Sequence, residues 1–308
     1  MLKWLALIIL IIALIKPVCY VINNTLSSET LKKISKSKDV ILKILIGVSA
    51  VFTCGILIWI IFYIVFNGIS GIDIEFLTTA PFKDEGGVLP MIISTIWIVF
   101  IALIISTPIG IGAAIYLNEY AKPGKVVTVI RFAIESLAGI PSIIYGLFGL
   151  IFFVTMLKFS YSILAGALTV SIMVLPVIIR TTEESLKTVP NSYREGSLAL
   201  GASKIRTVIK VVLPSAIPGI LSGVILSIGR IVGETAAIYM TAGMVPKVPE
   251  TIMNSGRTLS VHLYLLAKEG ISFEKAYATA TVLIVIVAII NFCANSVAKF
   301  LNRNTVMK

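Results

Sequence analysis

Uncharged, mostly apolar runs recur along the chain at 44–66, 88–118, 136–157, 159–179 and 276–298. A sixth, 211–246, is interrupted only by Arg230 and Glu234. A membrane-spanning helix needs about 20 such residues. The pattern therefore predicts an all-α, polytopic membrane protein with six spanning helices. Small residues recur every four positions at Ala102, Ser106, Gly110 and Ala114, at Ala138, Ser142 and Gly146, and at Ser215, Gly219 and Gly223. That spacing lets helix backbones approach closely, so a tight bundle is expected. The first 22 residues fit less easily. Their apolar run, Trp4–Ile15, is short for a span and is ended by Lys16-Pro17. It has the length of a signal-peptide core but no A-x-A cleavage site, so an uncleaved extra membrane segment or an interfacial helix is expected. The expected organisation is an N-terminal hydrophobic and basic stretch over 1–40, a transmembrane domain over 41–300 and a basic tail over 301–308.

Composition agrees with that picture. Of the 308 residues, 57% are hydrophobic and only 13% charged. Soluble domains carry about 25% charge, which excludes an ordinary soluble enzyme. A disordered chain would lack the apolar content. The formal charge of +11 does not point to nucleic acid, because the basic residues sit in short clusters between apolar runs. Lys32, Lys33, Lys36, Lys38 and Lys43 precede the first span; Lys122, Lys125 and Arg131 follow the second. Arg180, Lys187, Arg194, Lys204, Arg206 and Lys210 follow the fourth, and Lys299, Arg303 and Lys308 end the chain. The alternate links hold only Lys83, Lys158, Lys247, Arg257, Lys268 and Lys275. Positive charge stays on the cytoplasmic side, so both ends of the six-helix unit are expected there.

Chemistry of the usual catalytic kind is absent from the sequence. Cys19, Cys54 and Cys293 lie scattered in apolar stretches, with no CxxC pair, and read as small buried hydrophobes. The lone His262 has no Cys or carboxylate at metal-ligand spacing. No G-x-x-x-x-G-K-[ST] phosphate loop is present, so any ATP hydrolysis would belong to another chain. No cofactor is expected.

The link 181–214 is the most informative segment. Pro190 should end the helix leaving the fourth span. Ser192, three residues before Glu195, makes a capping box for a new helix. Gly201 can supply the left-handed turn that stops it, and an amphipathic stretch over Ser203–Leu213 leads to Pro214 and the fifth span. Glu195-Gly196-Ser197 is followed after three residues by Gly201, and after nine more by Val211-Val212-Leu213-Pro214. This spacing resembles the EAA loop of bacterial ABC importer permeases. Gly196 and Ser197 replace the two family alanines, and Val211 the isoleucine. The resemblance implies that this loop docks in a groove of an ATP-hydrolysing partner dimer and transmits its motion. Leu117-Asn118-Glu119-Tyr120, Glu135 through Ser142-Ile143, Tyr145 through Gly149, and Arg230 through Thr235-Ala236 further resemble the phosphate-specific permeases of the PstA family, over roughly residues 40–300. The family implies a six-helix ABC type I importer transmembrane domain and a homologous second permease subunit. It also implies an extracytoplasmic phosphate-binding protein, which would dock on 67–87 and 241–272. Membrane lipid would surround the whole.

Ionised residues deep in a span normally face a polar path or each other. Arg230 and Glu234, at i and i+4, are expected on one helix face, within a stripe of Gly223, Ser227, Ala237 and Thr241. Glu135, Ala138, Ser142, Tyr145 and Gly149 make a similar stripe on the third span, and the two could line one path. Arg230 would offer paired N–H donors to an oxyanion. Glu234 could accept the proton that phosphate retains and sulfate lacks. A purely structural Arg230–Glu234 pair is the alternative, as is an Arg131–Glu135 pair at i, i+4. At the level of the protein, the alternatives are an importer permease for sulfate or molybdate, and a membrane scaffold or sensor outside the ABC class. A secondary transporter would show internal repeats, and none is evident.

Overall fold

The computed structural model describes residues 36–82 and 85–306. The expected N-terminal segment over 1–22 lies outside them. The chain divides into two compact units at Asn67. In the first, the described residues form one helix, α1 (Lys36–Gly68). Large apolar side chains are exposed along it, Phe52, Leu57 and Phe62 among them. A helix apolar all round belongs in lipid or against other helices.

The second unit holds the remaining elements. A short helix, α2 (Ile74–Thr78), is capped by Asp73, whose carboxylate accepts the Phe76 N–H at 2.6 Å. A two-residue hairpin, Pro81–Phe82 against Glu85–Gly86, follows. α3 (Leu89–Ile115) ends in a wide π-turn over Tyr116–Tyr120. α4 (Lys125–Ala138) is followed by α5 (Ser142–Gly149), which continues as a π-helix to Met156. Then come α6 (Ile163–Thr188), α7 (Asn191–Ala199) and α8 (Lys204–Thr207). α8 passes through a π-turn, Val208–Val212, into α9 (Leu213–Gly233). α10 (Ala236–Thr241), α11 (Leu259–Lys268) and α12 (Phe273–Val306) complete the order. Among the described residues, five helical stretches are long and apolar enough to cross a membrane, and six if α4 and α5 count as one broken span.

α6 is the axis of the bundle, with α3 and α9 packed along it. Its Ile163, Val170, Met173, Val174 and Ile178 are fully buried, against Ile98, Ala102, Ile231 and Ile238 from its neighbours. The small-residue stripe predicted on α3, and Gly219 and Gly223 of the one predicted on α9, are where backbones meet; Ser215 is exposed. Ala102, Ser106, Gly110 and Ala114 are all buried, and the Ser171 hydroxyl reaches the Ala102 carbonyl at 3.2 Å. A Cβ at Gly110 would lie 2.7 Å from Ile178. One at Gly219 or Gly223 would collide with Ser185 or Thr181 of α6. Gly149 of α5 is wedged against Thr169 and Thr241 in the same way. We expect Gly149→Ala to lower stability by about 1–3 kcal/mol through overpacking. Gly112→Ala, with nothing within 4 Å of the new methyl, should leave it unchanged. Thermal unfolding of the detergent-solubilised protein checks the pair.

Several expectations are corrected. The third run is not one straight helix: α4 and α5 meet at 99°. Pro141 has no N–H to donate and pushes Ile140 out of the helical region, and Gly139 ends the helix before it. Ala138 and Ser142 therefore share no helix face, and neither do Glu135 and Tyr145. The sixth run is also broken. α9 ends at Gly233, and Glu234 is extended (φ −72°, ψ 129°). The i, i+4 face joining Arg230 to Glu234 is not present. Ser192 is no cap: α7 starts at Asn191, directly after Pro190, without a side-chain cap. Cys293 is exposed and Cys54 half-buried, so neither is the buried core residue expected. The expected stop at Gly201 holds, with φ +80°. Pro214 does not interrupt its helical stretch, which runs from Lys204 to Gly233. The π-turn just before it accommodates the missing N–H.

Candidate functional site

Two clusters of polar residues sit where helices are interrupted. The first surrounds the break between α9 and α10. Arg230, in the last turn of α9, is half-buried. Its positive charge suits the partial negative end of that helix. Among the described residues its guanidinium has neither a hydrogen bond nor an ion pair. Tyr145 donates to the Leu137 carbonyl at 2.8 Å, tying α5 to α4 across the Pro141 bend. Glu234 does not pair with Arg230. Its carboxylate accepts the Ala237 N–H at 3.1 Å and so caps α10, while its carbonyl accepts the Ser260 hydroxyl at 2.7 Å. Thr235 lies in the break, half-buried. α10 packs on α5, with Ala237 against Gly146. Ser142, half-buried, opens α5 one turn away.

Arg230, Glu234, Thr235 and Ser142 thus belong to two broken helices that meet. Irregular backbone at membrane depth survives only when buried in protein or lining a polar cavity. A half-buried guanidinium with its donors unused can receive an oxyanion through charge-assisted bonds.

Glu135 is elsewhere. It is exposed on α4 and lines a cavity of about 190 Å³ with Arg131, Arg180, Glu183 and Lys187. The expected Arg131–Glu135 pair is absent: Arg131 reaches Glu183 of α6 at 3.0 Å.

The second cluster is the hairpin of α7 and α8. Glu195 and Gly196 are exposed on α7, and Ser197 is half-buried, its hydroxyl 2.9 Å from that of Thr207 on α8. A methyl at Gly196 would meet nothing within 4 Å, so the position has room for the alanine that the EAA pattern carries there. Leu213 packs into a cluster of Leu186, Val189, Val212, Ala216 and Ile220, with Pro214 next in the chain, and roots the hairpin in the bundle. Arg194 and Glu119 form a shielded ion pair at 2.8 Å. In the sequence Arg194 reads only as part of a basic cluster, and Glu119 only as part of a motif. They stand 75 residues apart, and no local spacing reveals the pairing.

The family described as "Binding-protein-dependent transport system inner membrane component" matches residues 106–306, which is more than half of the chain. The chain belongs to this family. Within it the permease is PstA-like. It is 36% identical over 266 residues to the probable ABC transporter permease protein YqgI of Bacillus subtilis, covering 80% of this chain and 90% of that one. It is 36% identical to the phosphate transport system permease protein PstA 1 of Mycobacterium tuberculosis, covering 70% and 71%. To PstA of Pasteurella multocida it is 41% identical, covering 60% and 67%. Among solved structures, a chain of the bacterial alginate ABC transporter superposes with a TM-score of 0.64 at 14% identity, covering 86% of the permease and 96% of that chain. One from the MetNI methionine ABC transporter gives 0.56 at 21%, covering 70% and 94%. At these identities the structures establish the fold alone, that of an ABC importer transmembrane domain. The permease is a multi-pass inner-membrane protein and a subunit of an ABC importer. Its relatives are transport components rather than enzymes.

Proposed function

We propose that the permease carries inorganic phosphate, forming half of a translocation path whose oxyanion-binding group is Arg230. The observation that carries this reading is the half-buried guanidinium that commits none of its donors to the described residues. An unpaired cation at membrane depth is costly, and an anionic substrate offsets that cost at each passage. Glu234 keeps acceptor capacity beyond its one bond to Ala237 and meets the proton of hydrogen phosphate. Thr235 and Ser142 add hydroxyls. The names of the PstA relatives support phosphate over other oxyanions. Glu135 serves at the cavity beside Arg131 and Arg180, at the basic end of the bundle.

Coupling runs through α7 and Gly201. The basic links favour a cytoplasmic position for this hairpin and for both ends of the six-helix unit. There Glu195, Gly196 and Ser197 meet a partner ATPase dimer. A second, homologous permease completes the path. An extracytoplasmic phosphate-binding protein docks on the opposite loops, 67–87 and 241–272, and alternating access moves the ion.

Uptake of labelled phosphate by cells lacking this chain, complemented with it, tests the substrate. The expected result is restored uptake that excess sulfate leaves unchanged. Sulfate competition, or no restoration under phosphate limitation, overturns the assignment and points to a different oxyanion.

A further inference from the structure

We infer that Arg194 is the positioning residue that transmits motion of α7 to the bundle, with Glu119 as its receiver. The inference rests on the proposed docking of α7 against an ATPase, and it names the part that carries the movement onward.

α7 has no buried residue of its own. Its Tyr193, Leu198 and the following Leu200 are exposed. A helix held so loosely passes on a push only through specific ties, and Arg194 gathers them. Its Nη2 donates to the Glu119 carboxylate at 2.8 Å, and its Nε contacts both carboxylate oxygens at 3.3 Å. Nη2 also donates to the Leu186 carbonyl at 2.9 Å, and Nη1 to that of Val189 at 2.7 Å. Those carbonyls belong to the end of α6, the partial negative end of that helix, which favours a cation. One planar group thus joins three elements: α7, the end of α6 and the π-turn that ends α3.

The joint is stiff for two reasons. The ion pair is shielded, with side chains 18% and 7% exposed, so water competes little for it. Asn118 donates to Glu119 at 2.9 Å and fixes the receiving carboxylate. The second arm of the hairpin grips the adjacent residue, Lys204 lying 5.0 Å over the Tyr120 ring. The Ser197–Thr207 contact holds the two arms together. Beyond the joint, α3 and α6 are packed along their length, and α6 carries α9 with Arg230. Lysine could keep the charge of Arg194 but not its fork of simultaneous bonds.

The test uses the assembled transporter, with its ATPase and second permease, in proteoliposomes. Phosphate moved and ATP hydrolysed are measured together for Glu119→Gln, Arg194→Lys and Arg194→Gln, and for the Glu119→Gln/Arg194→Gln double variant. The expected result is at least a fivefold fall in phosphate moved per ATP, with ATPase still co-purifying. The double variant should be no worse than Arg194→Gln, because the two residues act as one unit. Arg194→Lys keeps the test alive if Glu119→Gln does not assemble. A ratio that stays constant while both activities follow the amount of complex overturns the inference and leaves a merely structural tie. A parallel cross-link from Glu195→Cys to the ATPase separates the two readings: no cross-link sinks the docking of α7 itself, whereas a cross-link with an unchanged ratio sinks only the role of Arg194.

Discussion

Arg230→Ala is expected to reduce phosphate uptake by about 100-fold while the amount of assembled complex stays at the wild-type level. Losing two charge-assisted bonds to an oxyanion corresponds to ~3 kcal/mol, and about 1.4 kcal/mol is a factor of ten. Assembly should be spared because the guanidinium has no hydrogen bond or ion pair among the described residues to lose. Arg230→Lys keeps a charge but not the paired donors, so an intermediate loss of about tenfold is expected. The measurement is initial-rate uptake normalised to complex recovered by affinity purification. Uptake and complex falling together would show that Arg230 holds the bundle rather than the ion.

Gly201→Val should disconnect the permease from its ATPase, cutting co-purified ATPase and phosphate uptake by about tenfold or more. Gly201 has φ +80°, and an added Cβ would touch nothing within 4 Å. The penalty is therefore one of backbone conformation, not of crowding. A left-handed conformation costs an L-residue about 1–2 kcal/mol, and a β-branched one is worst. The least costly escape is to unwind the turn between α7 and α8, which moves Glu195 and Gly196 off their docking geometry. Gly201→Asn, which tolerates left-handed backbone, should fall between Val and wild type. A Val variant that retains ATPase at the wild-type level would show that the turn is not needed to present the loop.

The membrane class and the location of the long helices were legible because about 20 apolar residues and clustered charge leave few alternatives. Gly110, Gly219 and Gly223 also announced their role, since four-residue spacing maps directly onto one helix face. What local patterns missed were the interruptions. Hydropathy is blind to a change of direction, so the run through Glu135 and Ser142 read as one helix although Pro141 turns it. Glu234 read as helical for the same reason: nothing adjacent to it forbids a helix, and the break is stabilised by distant partners such as Ser260. Ser192 and Glu195 have the spacing of a capping box, but the helix after Pro190 starts two residues early, at Asn191. The Arg194–Glu119 pair had no local trace.

The bend at Pro141 bears on how the chain enters the membrane. α5 with its π-helical extension covers only residues 142–156, about 22 Å at helical rise, short of a hydrocarbon core of about 30 Å. Such a segment is a weak stop-transfer signal by itself. Its Gly146 and Gly149 fit against Ala237 and Thr169, residues made later by the ribosome. Stable seating of this part of the permease is therefore expected to depend on α6 and α10, so its integration would be completed by packing and not by simple partitioning of an apolar peptide.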